Sequence, residues 1–122
     1  MINIKTEKEI ELMKESAEAL KAALRAIESA IKPGVSTLYL NEVAEKAMRE
    51  MGATPAFKGE PCPYRGGKTY KWAICTSVND EIIHGIPSSD VILKEGDIVC
   101  VDLGTLKNGW ASDAGRTFGV GK

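Results

Sequence analysis

Two aspartates stand where strand-like sequence makes aspartate unexpected. Asp102 lies in Asp97-Ile98-Val99-Cys100-Val101-Asp102-Leu103-Gly104, apolar enough to read as a buried strand, and Asp113 lies in Ala111-Ser112-Asp113-Ala114-Gly115. Aspartate is depleted in strands, and a buried carboxylate needs hydrogen bonds, a cation or a metal. Lys107-Asn108-Gly109 separates the two runs. Asn-Gly between strand-like runs is the strongest short hairpin signal, because both residues tolerate positive φ. A two-residue turn pairs Lys107 with Trp110, which sets Asp102 opposite Gly115 and Asp113 opposite Gly104. The two carboxylates then share a face, one diagonal step and roughly 7 Å apart at the backbone. Each faces a glycine, which leaves space between them. A four-residue loop would oppose the aspartates directly, still on one face; only an odd loop or a bulge would separate them. Carboxylates converging in a dry pocket repel unless a cation sits there, so a divalent metal is the natural candidate. The plainer alternative has both aspartates hydrogen-bonded to backbone, or Asp113 bonded to Arg116. Two carboxylates alone also fall short of the three or more protein ligands of a catalytic metal.

His84 is the only histidine, directly before the turn Gly85-Ile86-Pro87. Histidine is the side chain best suited to proton transfer near pH 7, although at a strand end a surface or hydrogen-bonded role is the commoner one. Cys62, Cys75 and Cys100 make an odd count with no CxxC, which predicts reduced thiols rather than disulfides or a zinc knuckle. Cys75 and Cys100 sit in apolar runs and are expected in the core. No nucleophile motif, P-loop or dinucleotide fingerprint is present.

The elements that must position these residues fall into two halves. Only Gly34 and Gly52 of the twelve glycines precede residue 54, so the first half reads helical and the second as strands and turns. Helix one starts at Thr6, where Thr6-Glu7-Lys8-Glu9 is a capping box. Its apolar stripe is Ile10, Met13, Ala17, Leu20, Leu24, Ile27 and Ile31, and Pro33-Gly34 stops it. Helix two begins near Ser36-Thr37, buries Leu40, Val43, Ala44, Ala47 and Met51, and ends at Gly52. Strands are expected at Thr54–Phe57, Tyr70–Val78, Glu81–His84, Asp97–Gly104 and Trp110–Val120, with Tyr70, Trp72, Ile74, Thr76 and Val78 on one side of theirs. Glu60–Thr69 reads as a loop. The fold class is α+β, two helices packed on an antiparallel sheet, as one domain over 1–122.

Composition bounds the rest. The chain has 122 residues, 43% hydrophobic and 27% charged, with 16 Lys+Arg against 17 Asp+Glu. That length supports one real core without staples, burying about two thirds of the unfolded surface. The balanced charge offers no case for nucleic acid or an anionic membrane. No apolar run approaches the roughly 20 residues of a membrane span. The polar opening MINIKTEKEIE is no signal peptide, so a cytoplasmic location is expected.

SVNDEIIHGIP, followed by EGDIVCVDLGTLKNGWASDAGRTFGVGK, strongly resembles the N-terminal half of type I methionine aminopeptidases. IKTEKEIELMKESAEAL and KPGVST fit the same family, and the resemblance covers nearly the whole chain. It implies one half of a pita-bread fold, in which two pseudo-symmetric αβ halves clasp a dinuclear metal centre (Mn, Co, Fe or Zn). It further implies Asp102 and Asp113 as metal ligands, His84 as the histidine at the scissile amide, and Tyr70 and Cys75 as walls of the methionine pocket. The implied substrate is an N-terminal methionyl peptide. The family's remaining ligands, one histidine and two glutamates, belong to a second half and have no counterpart in this sequence. The Gly59–Thr69 loop is longer than usual, with Glu60-Pro61-Cys62 where an aromatic is common. A truncated or engineered half is therefore expected to be inactive or very weak alone. It would act as a homodimer, with the C-terminal half as a partner, or as a non-catalytic scaffold or binding module.

Overall fold

The Thr6 hydroxyl accepts from the Glu9 amide at 3.2 Å while Glu9 accepts from the Thr6 amide at 2.7 Å, so the capping box forms as its spacing requires. It opens α1 (Glu7–Ala30). Ser36 caps α2 (Thr37–Glu50) through the Tyr39 amide. The computed structural model describes residues 1–62 and 66–122. The strands are β1 (Thr54–Pro55), β2 (Pro61–Cys62), β3 (Lys68–Thr69), β4 (Ile74–Val78), β5 (Ile98–Lys107) and β6 (Trp110–Gly119). β5 is the spine of the main sheet: β6 pairs along one edge, and β4 and then β1 pair along the other, all antiparallel. β2 and β3 form a separate two-stranded ribbon.

The helices pack together on one face of this sheet. Side chains alternate along a strand, so Val99, Val101 and Leu103 of β5 point under the helices and are fully buried with Ile74 of β4. On β4, Ile74, Thr76 and Val78 share that face, as the alternation predicts. Opposite them Ala23 and Ile27 of α1 and Leu40 and Met48 of α2 are also sealed. A hydroxyl cluster fastens α1 to the hairpin: Thr105 donates to the Ser16 carbonyl at 2.9 Å, and Ser16 and Ser112 complete it.

Several expectations are corrected. The α1 stripe holds from Leu20 onward, where Leu20 and Ile27 are buried and Leu24 and Ile31 pack against the core, but not at its start: Ile10 and Met13 are exposed, while Ser16, Ala19 and Ala23 are buried. Small residues let the helix lie close to the sheet, which the larger apolar residues near its start do not. On α2 Leu40 and Ala44 are buried as expected, Val43 and Ala47 only partly, and near the helix end Met48 rather than Met51 is buried, Met51 being exposed past the last turn. The strand expected from Tyr70 begins only at Ile74. Ahead of it the Ala73 and Ile74 amides donate to the buried Asn41 side chain at 2.8 and 3.3 Å, and Tyr70 exchanges backbone bonds with Gly59 and Glu60. β1 stops at Pro55, leaving only the Ala56 amide bonded to Gly104. Within the expected 60–69 loop, β2 and β3 pair; residues 63–65 of that loop lie outside the described residues. β5 runs to Lys107, past the expected Gly104. Glu81–His84 forms no strand. The Glu81 carboxylate turns back to accept from the Val78 amide, and His84 takes a left-handed φ of 59°. Cys100 is half-buried on the outer sheet face rather than in the core.

Candidate functional site

The face of the sheet away from the helices carries the chemistry. Asn108 and Gly109 have φ of 51° and 79°, the two positive values a type I′ turn needs. The turn closes with Lys107 opposite Trp110, and Asp102 stands opposite Gly115 and Asp113 opposite Gly104, the register expected from Asn-Gly. Asp102 and Asp113 thus share the outer face diagonally, about 7–8 Å apart at the backbone. Asp102 is half-buried and Asp113 exposed, so the second does not lie in the dry strand that its sequence suggested. Burial, and then the neighbouring Asp113, push the Asp102 carboxyl above the usual carboxylate range; His84 acts in the opposite sense. The alternative of an Asp113–Arg116 bond is excluded by geometry: Arg116 pairs with Glu28 at 3.2 Å and covers the Phe118 ring at 4.9 Å.

The two facing glycines differ. A side chain on Gly104 would meet Phe57 at 3.1 Å and Ala56 at 3.2 Å, so that space is filled. Above Gly115 the nearest atom is the Val101 carbonyl oxygen at 3.7 Å, which leaves room beside Asp102.

β4 brings the remaining candidates. Cys75 is paired with Asp102 and shares its face. The Tyr70 hydroxyl lies 3.3 Å from the Cys75 sulfur and donates to the Ile74 carbonyl at 2.8 Å. Tyr70 and Trp72 meet edge to face at 5.3 Å and, with Cys62, Lys68, Lys71 and Ile86, line a cavity of about 170 Å³. His84 is exposed, but its backbone is fixed. Gly85 bonds to β4 through the Thr76 amide (2.8 Å) and the Ser77 hydroxyl (3.1 Å). A Cβ on Gly85 would lie 2.0 Å from the Thr76 oxygen, so only glycine permits this approach. Asn41, which anchors the entry to β4, and Phe57, which fills the floor beside Asp113, had no signal in the sequence, since both act across non-local contacts.

The donor set suits a divalent cation in part. Two carboxylate oxygen donors, one of them disfavoured as an anion by burial and by its neighbour, face open space over Gly115. Among the described residues, however, no group of three or more His, Cys, Asp or Glu side chains converges as a metal shell.

The family model for metallopeptidase family M24 matches residues 11–122. Methionine aminopeptidase 1 of Mycobacterium tuberculosis is 47% identical over 113 residues, which are 93% of this chain and 40% of that protein. The methionine aminopeptidase of Clostridium acetobutylicum is 44% identical over 122 residues, 100% of this chain and 46% of that protein. The solved methionine aminopeptidase of Thermotoga maritima superposes with a TM-score of 0.89 at 41% identity, covering 100% of this chain and 46% of its own. The prolidase of Pyrococcus furiosus gives 0.79 at 30% identity, covering 98% and 32%. The chain spans less than half the length of these relatives, and its helices and antiparallel sheet correspond to one half of their pita-bread fold. A half-fold of this topology, with a family match over nearly its whole length, belongs to metallopeptidase family M24.

Proposed function

We propose that the chain carries half of the reaction centre of a methionine aminopeptidase, acting on N-terminal methionyl peptides as one half-pita-bread unit over 1–122. The observation that carries this reading is the diagonal Asp102–Asp113 pair, with Cys75 paired to Asp102 on the same face and the Tyr70 hydroxyl against the Cys75 sulfur. Asp102 and Asp113 would hold a divalent ion such as Mn²⁺, Co²⁺, Fe²⁺ or Zn²⁺, two of them in a complete centre. Such an ion supplies Lewis-acid polarisation of the scissile carbonyl.

The chain's own residues do the rest. Cys75 and Tyr70 form one wall for the methionine side chain, whose polarizable sulfur suits contact with a thiol and an aromatic ring. His84 reaches the scissile amide, where an imidazole donates or accepts a proton as the bond reorganises. Gly85 positions it by tying its backbone to β4. With two carboxylates from one chain, turnover by an isolated monomer is expected to be weak or absent. A second copy, or the remaining part of a relative-length protein, would complete the ligand shell. The odd cysteine count supports a reducing, cytoplasmic setting. A non-catalytic binding module is the second reading, favoured by the lack of a three-ligand cluster among the described residues.

An NMR titration with a methionyl peptide separates the two. Shifts at Tyr70, Cys75 and His84 that an N-acetylated peptide does not reproduce support the peptidase reading. No shift at any of the three contradicts it.

A further inference from the structure

The ribbon ahead of β4 carries charge that the aspartate pair does not use. β2 and β3 set Cys62 directly opposite Lys68. Tyr70 fixes the ribbon to the entry of β4: its amide donates to the Glu60 carbonyl and its carbonyl accepts from the Gly59 amide, both at 2.8 Å. Alternation places Lys68 and Tyr70 on the same side of the ribbon. The Tyr70 hydroxyl ends against the Cys75 sulfur, and Cys75 is paired with Asp102. Lys68 therefore begins where the wall for the methionine side chain ends. The cavity of about 170 Å³ at this junction is lined by two charged residues, Lys68 and Lys71, beside Trp72 and Ile86. Among the described residues no carboxylate lines it.

Charge is thus divided across the site. Asp102 and Asp113 make one end acidic, and the cavity beyond Tyr70 is basic, in a chain whose formal net charge is only −1. Among the described residues neither lysine lies within ion-pairing distance of a carboxylate, the ribbon's own Glu60 included. Both lysines are exposed while Trp72 and Ile86 are half-buried, so the cavity offers an apolar wall beside two solvated cations. An acidic side chain matches that pairing: its short aliphatic stem meets the wall and its carboxylate meets the ammonium groups. Size agrees. Sites for whole small molecules start at about 300 Å³, so this cavity suits one side chain. Opposite charge at the two ends also sets the direction and register of a bound peptide, with its amino terminus toward the aspartates and its acid toward the lysines.

We propose that Lys68 and Lys71 form a subsite for an acidic side chain just downstream of the N-terminal methionine, so that the chain selects methionyl peptides with Glu or Asp early in their sequence. This deepens the peptidase reading and rests on it for the placement of the methionine; the lysine cavity stands on the ribbon itself. Lys68 belongs to the long 59–69 segment, and loops on a rigid scaffold are where recognition residues collect. Exposed ion pairs are individually weak, so two lysines give a preference of several-fold and not an absolute requirement.

NMR titration of the chain with two C-amidated peptides, Met-Ala-Glu-Glu and Met-Ala-Gln-Gln, tests this at low salt. The acidic peptide is expected to bind about fivefold tighter and to shift the Trp72 indole. The preference should vanish when Lys68→Gln and Lys71→Gln are combined, return when both are Arg, and disappear in about 0.5 M salt. Both side chains are exposed, so these variants leave the core intact. Lys5→Gln with Lys8→Gln removes the same charge at the start of α1 and should keep the preference. Equal affinities in the wild type, a preference that survives the Lys68 and Lys71 changes, or one lost equally in the Lys5 and Lys8 control overturns the proposal. The two readings fail separately. A Glu preference that persists after N-acetylation, with no shift at Cys75 or His84 from either free peptide, supports the lysine cavity and counts against the peptidase reading. Shifts at Tyr70, Cys75 and His84 that are the same for both free peptides, at equal affinity, do the reverse.

Discussion

Asp102 carries a conflict that its strand cannot relieve. It is half-buried beside a second carboxylate, and both facts push its carboxyl toward the neutral form. Its neighbours were readable because alternation and the Asn-Gly turn dictate register without reference to the rest of the fold. What lay beyond reading was how each residue is supported. Phe57 fills the space over Gly104, and Gly85 presses on the Thr76 carbonyl; both are contacts between segments far apart in sequence. Gly85→Ala is expected to cost about 3 kcal/mol, since a methyl group cannot fit there without moving backbone. Urea denaturation measures that cost. The same variant should displace His84, visible as changed imidazole shifts, while a loss below 0.5 kcal/mol, about the size of a neutral surface change, would show that the loop simply yields.

At the level of elements, the helices and the β5–β6 hairpin follow from caps, periodicity and turn chemistry. Tyr70–Ala73 and Glu81–His84 do not, since their patterns read as strands while their amides and side chains bond elsewhere. Ala73 goes to Asn41, and Glu81 returns to Val78. The start of the α1 stripe misled for a related reason: apolar content chose Ile10 and Met13, whereas close approach to the sheet buries Ser16, Ala19 and Ala23 beside Leu20 and Ile27. Thr105→Val breaks the hydroxyl cluster joining α1 to the hairpin and is expected to cost about 1–2 kcal/mol in thermal or urea unfolding. Because that side chain lies on the helix face, cation binding should be unchanged. The link between the end of β4 and the start of β5 has a pH signature. Asp97 accepts from the Asn79 side chain at 3.0 Å and from the Lys94 amide at 2.8 Å, which hold its carboxyl below the ordinary value. A depressed folded value means the contribution is complete above the ordinary carboxylate range and is lost as pH falls through the folded value. Asp97→Asn should therefore flatten the acid side of the stability–pH curve and leave its slope near neutrality unaltered.

For the whole molecule, one layer of helices and one sheet seal the inner face and leave the outer face to function. That division was legible in the sequence as a class, two helices on an antiparallel sheet. The central claim is that the outer face holds a divalent cation between Asp102 and Asp113, and titration calorimetry with Mn²⁺ tests it most directly. Wild type should release or absorb heat with a saturable isotherm, and Asp102→Ala should weaken binding by about tenfold or more, the equivalent of about 1.4 kcal/mol. Equal isotherms for the two proteins, or no heat from either, would contradict the claim.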